Sequence, residues 1–246
     1  MGAALDDQAL ARRRAMLLGA AAVAGVAGLP ARSPTPHLDV GRWWYDVVGV
    51  DVSNHQGDID WLALARTDVA FAYIKATEGG DFRDRRFQAN WEGARTARLP
   101  RGAYHFFTLC RSGAEQARNF IDVVPREPGA LPPVLDLEHM GACRSGAQIA
   151  DVVREITTAV DMLFGHYGRR PILYTDVVFD AAHLWGHFKH ETFWTRSILL
   201  PPWFRADQWL IWQYHSSGRR DGVAGPVDLN AFRGSRTAFE AFAVAG

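Results

Sequence analysis

The chain has 246 residues, with 27 Lys plus Arg balanced by 27 Asp plus Glu, so its formal net charge at pH 7 is zero. A chain with no basic footprint is not expected to bind nucleic acid or other polyanions. An apolar fraction of 48% and a charged fraction of 22% describe a soluble globular chain, long enough for one large domain or two small ones. Nine Trp and fourteen Phe are many for this length, enough to fill a core and also to line a groove that stacks sugar rings.

The N-terminus departs from globular character. Arg12, Arg13 and Arg14 precede an apolar run from Ala15 to Leu29, which is short for a membrane span of roughly 20 apolar residues. A positive region, an apolar region and small residues beyond them predict a secretory signal over residues 1–31, with cleavage after Gly28 or Ala31. Residues 32–46 read as a linker, and residues 47–246 as one catalytic domain. The expectation is an exported protein, periplasmic or extracellular at the cell envelope, with no integral membrane domain once the signal is removed.

Past the linker, apolar strand-like runs alternate with helix-like runs. Strands are predicted at Val47–Ser53, Val69–Ala76, Arg101–Thr108, Val134–Glu138, Pro171–Thr175, Trp209–Tyr214 and Val227–Phe232. Helices are predicted at Ile59–Arg66, Phe87–Ala97, Ala114–Val124, Ile149–Phe164 and Arg236–Val244. Ile149, Val152, Val153, Ile156, Val160, Leu163 and Phe164 form an apolar stripe at helical spacing, and Gly168 is placed to close that helix. The segment Val177–Asp207 is irregular, with a candidate strand at Phe193–Ile198. This alternation predicts an α/β fold, an irregular TIM-like barrel with parallel strands. The chain is short for eight full units, so helices should be reduced or missing after Thr175 and after Tyr214.

The stretch Leu131–Met140, LPPVLDLEHM, carries the chemistry. Side chains alternate along a strand, so Asp136 and Glu138 share one face while Leu135 and Leu137 take the other. Asp51 and Asp228 also fall near strand ends, and in a parallel barrel those ends meet at one mouth. Paired carboxylates are the equipment of glycoside hydrolysis. Tyr104, Phe107, Tyr174, Trp212, Gln213 and Tyr214 lie on or near strand ends and are candidates for the sugar-binding groove. His183, His187 and His190 lack an HExxH pattern and a third ligand type, so no metal is expected, and nothing calls for a cofactor.

The two cysteines occur in the repeated phrase Cys-Arg-Ser-Gly-Ala at Cys110 and Cys143. Ser112 with Glu115, and Ser145 with Gln148, fit capping-box spacing at a helix start. If the two strands are neighbours, the cysteines lie on adjacent loops. In an oxidising compartment that predicts a Cys110–Cys143 disulfide.

Assembled, these stretches resemble the glycoside hydrolase family 25 lysozymes, the muramidases of Chalaropsis type. The resemblance rests on GVDVSNHQGDIDW (49–61), AYIKATEGGDF (72–82), RGAYHFF (101–107), PVLDLE (133–138), PILYT (171–175) and WQYHSSGRRDGVAGPVDLN (212–230), in the family's order. It implies a lysozyme that hydrolyses the β-1,4 bond between N-acetylmuramic acid and N-acetylglucosamine in peptidoglycan. Asp51, Asp136, Glu138 and Asp228 match the family's acidic positions. Glu138 is expected as general acid, and Asp136 either as nucleophile or as the residue that orients the substrate's 2-acetamido group. Residues i and i+2 on a strand have Cα atoms about 6.5–7 Å apart, which suits either carboxyl separation; the resemblance leans toward retention with acetamido participation. The partners expected are peptidoglycan glycan strands, met by a monomer. Two other readings fit the pattern: a chitin-type hydrolase, and a wall-binding barrel without catalysis.

Overall fold

The computed structural model describes residues 39–139, 149–198 and 200–244. The expected signal segment, the first part of the expected linker, Cys143, and Ser145 with Gln148 lie outside the described residues. The described chain runs α1 (Val40–Trp44), β1 (Val48–Val52), α2 (Trp61–Leu64), β2 (Val69–Glu78), β3 (Phe82–Arg83), α3 (Phe87–Thr96), β4 (Arg101–Phe106) and α4 (Gly113–Val123). It continues with β5 (Val134–Leu137), α5 (Ile149–Tyr167), β6 (Ile172–Asp176), α6 (Val177–Phe179), β7 (Phe193–Arg196), β8 (Trp209–Gly218), β9 (Val227–Phe232) and α7 (Arg236–Val244).

Eight strands close a barrel in the order β1-β2-β4-β5-β6-β7-β8-β9, with β9 pairing back to β1. The irregular TIM-like barrel expected from the sequence is therefore present. Six of its pairings are parallel. The exception is β9, which runs antiparallel to both β8 and β1. It follows β8 without an intervening helix, and a short connection returns the chain in the opposite direction. The two-residue β3 folds back on β2 as a hairpin outside the ring. Helices are reduced where expected. After β6 there is only α6 and a π-helical turn, Asp180–Leu184, and between β8 and β9 there is none. The stretch read as a linker is helical from Val40, and a Cβ on Gly41 would strike the Tyr214 ring, so α1 packs directly on the barrel.

Strand alternation sorts the core into two layers. Outward-facing residues such as Ala72, Ile74, Leu135, Leu137, Leu173 and Trp212 pack beneath the helices. Inward-facing Phe71, Tyr73, Val134, Ile172, Trp194, Ile211 and Phe232 fill the barrel interior, where α7 adds Phe239 and Ala243. The Phe239 ring lies 5.3 Å from both Phe71 and Phe232, centroid to centroid. Space for these aromatics comes from small neighbours: a Cβ on Gly49 would approach the Phe71 ring to 2.5 Å.

Local signals act as their chemistry dictates. Ser112 Oγ accepts the Glu115 N–H at 3.2 Å, while the Glu115 carboxylate turns to Arg111. Only half of the expected capping box forms. The Ile149 helix runs one turn beyond the expected Phe164, and Gly168 then ends it at φ 72° by donating to the Phe164 carbonyl at 2.8 Å. Phe164 itself leaves the buried stripe and is exposed beside Arg170. No helix among the described residues is long and apolar enough to cross a membrane.

Candidate active site

A cavity of about 520 Å³ opens at the mouth where the parallel strands end. Its wall carries the second of the alternating inward faces. Asp51 comes from β1, Lys75 from β2, Tyr104 and Phe106 from β4, and Asp136 from β5, with Glu138 just beyond it. Tyr174 and Asp176 come from β6, Trp194 and Arg196 from β7, Gln213 from β8 and Asp228 from β9. All four acids singled out in the sequence line this one cavity. Asp228 reaches it for a reason the sequence reading did not contain. It lies at the start of its strand, and only the reversed direction of β9 brings that end to the mouth. There it stands opposite Asp51 in register.

The six candidate groove residues divide. Tyr104, Tyr174 and Gln213 line the cavity. Phe107, Trp212 and Tyr214 do not: they are buried in the layer between barrel and helices. The physical reason is alternation, since Gln213 points inward and its two neighbours must point out. Tyr214 instead donates from its hydroxyl to Asp39, and Trp212 Nε1 donates to the Ser197 carbonyl. Phe106 takes the place assigned to Phe107. Of the three histidines, His183 packs its ring 5.0 Å from His139 and 4.8 Å from Phe179, while His187 and His190 are exposed.

A hydrogen-bond chain fixes the floor. Tyr174 Oη donates to Gln213 Oε1 at 2.8 Å, and Gln213 Nε2 donates to Asp51 Oδ2 at 3.0 Å. From the other side Trp194 Nε1 donates to Asn230 Oδ1 at 2.9 Å, and Asn230 Nδ2 donates to the same Asp51 oxygen at 2.8 Å. Four residues on four strands thus hold one carboxylate in place. Asp84 plays a similar part at the rim, accepting from the backbone and side-chain amides of Asn54, both at 2.9 Å. By contrast, Asp136 Oδ1 is buried with no hydrogen-bond partner among the described residues. An oxygen left bare in this way is unfavourable unless a substrate engages it.

Burial sets the protonation. It pushes Asp136 well above the usual carboxylate range, with Glu138 and Asp51 adding to the shift and Lys75 opposing it. Burial also raises Glu138, helped by Asp176 and opposed by Arg196. Asp228 is pushed up to about 8, again chiefly by burial and then by Asp51. Asp51 is raised by burial, though its two amide donors favour the ionised form. Carboxyls this close share few charges, so the site retains protons at neutral pH. Such a cluster can donate a proton to a leaving oxygen and present a carboxylate from the adjacent strand position.

Sequence reasoning missed Lys75, Asp176, Arg196 and Asn230. Asp176 directly follows the strand PILYT, and its position at a strand end was signal enough. Lys75 lies inside a strand, where only the inward face distinguishes it. Its ammonium pairs with Glu78 at 2.6 Å and lies 4.9 Å from the centre of the Phe106 ring.

The family model for glycosyl hydrolases family 25 matches residues 50–223. Lysozyme M1 of Streptomyces globisporus is 35% identical over 207 residues, covering 77% of this chain and 68% of its own. The structure of a family 25 glycosyl hydrolase from Bacillus anthracis superposes with a TM-score of 0.76 at 38% identity, covering 81% of this chain and 94% of that one. The bacterial lysozyme from Streptomyces coelicolor gives 0.73 at 34% identity, covering 81% and 97%. A match of this span, on a barrel of this topology, means that the chain belongs to glycosyl hydrolase family 25 and is a glycoside hydrolase.

Proposed function

We propose that the chain is a lysozyme that hydrolyses the β-1,4 bond between N-acetylmuramic acid and N-acetylglucosamine in peptidoglycan, with Glu138 as the general acid. The observation that carries this reading is the convergence of Asp51, Asp136, Glu138 and Asp228 on one cavity, with Asp136 Oδ1 unpartnered within it. The lysozymes among its relatives support the substrate class.

Glu138 stands at the mouth just past β5, raised above the ordinary carboxylate range by burial and by Asp176. A carboxyl raised in this way is suited to supply the proton that the leaving oxygen needs. Asp136 lies two residues deeper on the same face, where it acts as nucleophile or orients the 2-acetamido group for attack on the anomeric carbon. The carboxylate of Asp51 is held by Gln213 and Asn230 and supplies the negative field that stabilises an oxocarbenium-like transition state, while Asp228, pushed up to about 8, keeps its proton opposite it at neutral pH. Tyr104 and Tyr174 are buried and stay un-ionised, so their hydroxyls serve as hydrogen-bonding groups. On this reading the N-terminal segment exports the enzyme, a Cys110–Cys143 bridge forms outside the cytoplasm, and a monomer acts on glycan strands.

The test is turbidity clearance of peptidoglycan sacculi by wild type and Glu138→Gln side by side. Loss of a general acid is expected to lower the rate about a hundredfold or more. Clearance by Glu138→Gln at a tenth of the wild-type rate would remove Glu138 from this role. Digestion of chitin oligomers in place of sacculi would favour the chitin-type alternative.

A further inference from the structure

We infer that Arg196 is a specificity-determining residue that binds a carboxylate carried by the glycan strand; this rests on the muramidase reading above. Arg196 is the last residue of β7, in register between Asp176 on β6 and Gln213 on β8, and its side chain lines the cavity with Glu138. The other well-placed guanidinium groups of the fold are engaged: Arg101 by Glu127, Arg170 by Glu191, Arg205 by Asp180, and Arg220 by Asp39 and Asp68. Arg196 differs. It is only half exposed, yet among the described residues its guanidinium has neither an ion-pair nor a hydrogen-bond partner. The other permanent cation on the wall, Lys75, is committed to Glu78.

A guanidinium presents five donors in a planar fork that matches a carboxylate. A fork with no hydrogen-bond or ion-pair partner among the described residues, on a wall that also carries five acids, is available to a ligand. An ion pair with Glu138 would hold that acid ionised and remove its proton. Arg196 acts on Glu138 and Asp228 through its charge without pairing with either, which leaves the fork for substrate. The wall's other cation, Lys75, is paired with Glu78, so a substrate carboxylate finds its unpaired cation at Arg196. Glycan strands of peptidoglycan offer such groups in two places. The lactyl ether of muramic acid carries a free carboxylate where the stem peptide is absent, and the stem peptide carries its own. Chitin carries neither, so Arg196 would separate the two polymers.

The experiment compares wild type, Arg196→Met and Arg196→Lys on peptide-bearing glycan and on glycan stripped of peptide. Each substrate is used as such and after its carboxylates are converted to neutral amides. On untreated substrate Arg196→Met is expected to raise KM about tenfold or more, the effect of losing a charge-assisted hydrogen-bonding pair, with kcat nearly unchanged. Amidation should raise the wild-type KM by the same factor and leave that of Arg196→Met where it was. Arg196→Lys, which keeps the charge and loses the fork, should fall between. An effect confined to stripped glycan assigns the lactyl carboxylate; one confined to peptide-bearing glycan assigns the peptide. Equal responses of wild type and Arg196→Met to amidation overturn the inference. So does a variant whose KM is unchanged and whose pH–rate profile alone moves. If wild type digests no glycan at all, the muramidase reading fails by itself. Calorimetric binding of stripped and of peptide-bearing glycan to Glu138→Gln and to Glu138→Gln/Arg196→Met then decides Arg196, and equal affinities of the two variants for both glycans overturn it.

Discussion

At the scale of single residues, the site is a contest between burial and charge. Asp228 shows the consequence for stability. Its carboxyl is pushed up to about 8 in the fold, against about 3.9 in an unfolded chain. Between these values the folded protein binds the proton that the unfolded chain releases, so stability is full below about 4 and declines as pH rises through 8. Asp228→Asn removes this dependence. Thermal denaturation followed by circular dichroism should show the variant gaining on wild type between pH 5 and pH 8. A constant difference across that range would mean that Asp228 titrates normally. His105 works in the opposite sense. Buried, with its ring nitrogens 2.7 Å from Thr77 Oγ1 and 3.2 Å from Gln116 Oε1, it is lowered to about 4. Its neutral form supports the fold above about 6.5, and that support is lost as pH falls toward 4. The variant must therefore be compared with wild type at each pH and not with itself across pH.

At the scale of elements, strand alternation does most of the sorting. Along β5 it sends Leu135 and Leu137 to the helices and Asp136 to the cavity; along β8 it sends Trp212 and Tyr214 out and Gln213 in. For Asp136 and Glu138 the sequence alone shows this alternation. For Phe107, Trp212 and Tyr214 it does not, because an aromatic near a strand end reads equally as groove or core until the face of that strand is fixed. Alternation also makes room by omission. Gly49 lies on the inward face of β1, where a Cβ would meet the Phe71 ring at 2.5 Å. Gly49→Ala is expected to destabilise the barrel by about 1–3 kcal/mol through overpacking. Urea unfolding should register this as a lower midpoint with the same slope. An unchanged midpoint would show that the Phe71 ring gives way freely.

At the scale of the molecule, the barrel has a reactive mouth and a filled base. The base depends on α7, which contributes Phe239 to an aromatic group with Phe71, Phe232 and Phe242. Phe239→Ala should cost about 3–5 kcal/mol, seen as a large fall in melting temperature. Because Phe239 is remote from the cavity, kcat/KM of the folded variant at low temperature should stay near wild type. A selective loss of activity with unchanged melting would contradict the separation of base from mouth.

The βα alternation, the reduced helices late in the chain, the facing of Asp136 and Glu138, and the family that these stretches resemble are all legible in the linear chain. Those are local properties, written in periodicity, glycine placement and caps that neighbouring residues settle among themselves. The antiparallel run of β9, which brings Asp228 to the mouth opposite Asp51, comes instead from the way the barrel closes. Closure of the ring likewise decided that Asn230 and Gln213, on two different strands, hold one oxygen of Asp51. It also left Arg196 on the wall with no partner among the described residues. Pairing across a closed barrel joins residues more than a hundred positions apart, and no local pattern specifies which strand will stand beside which.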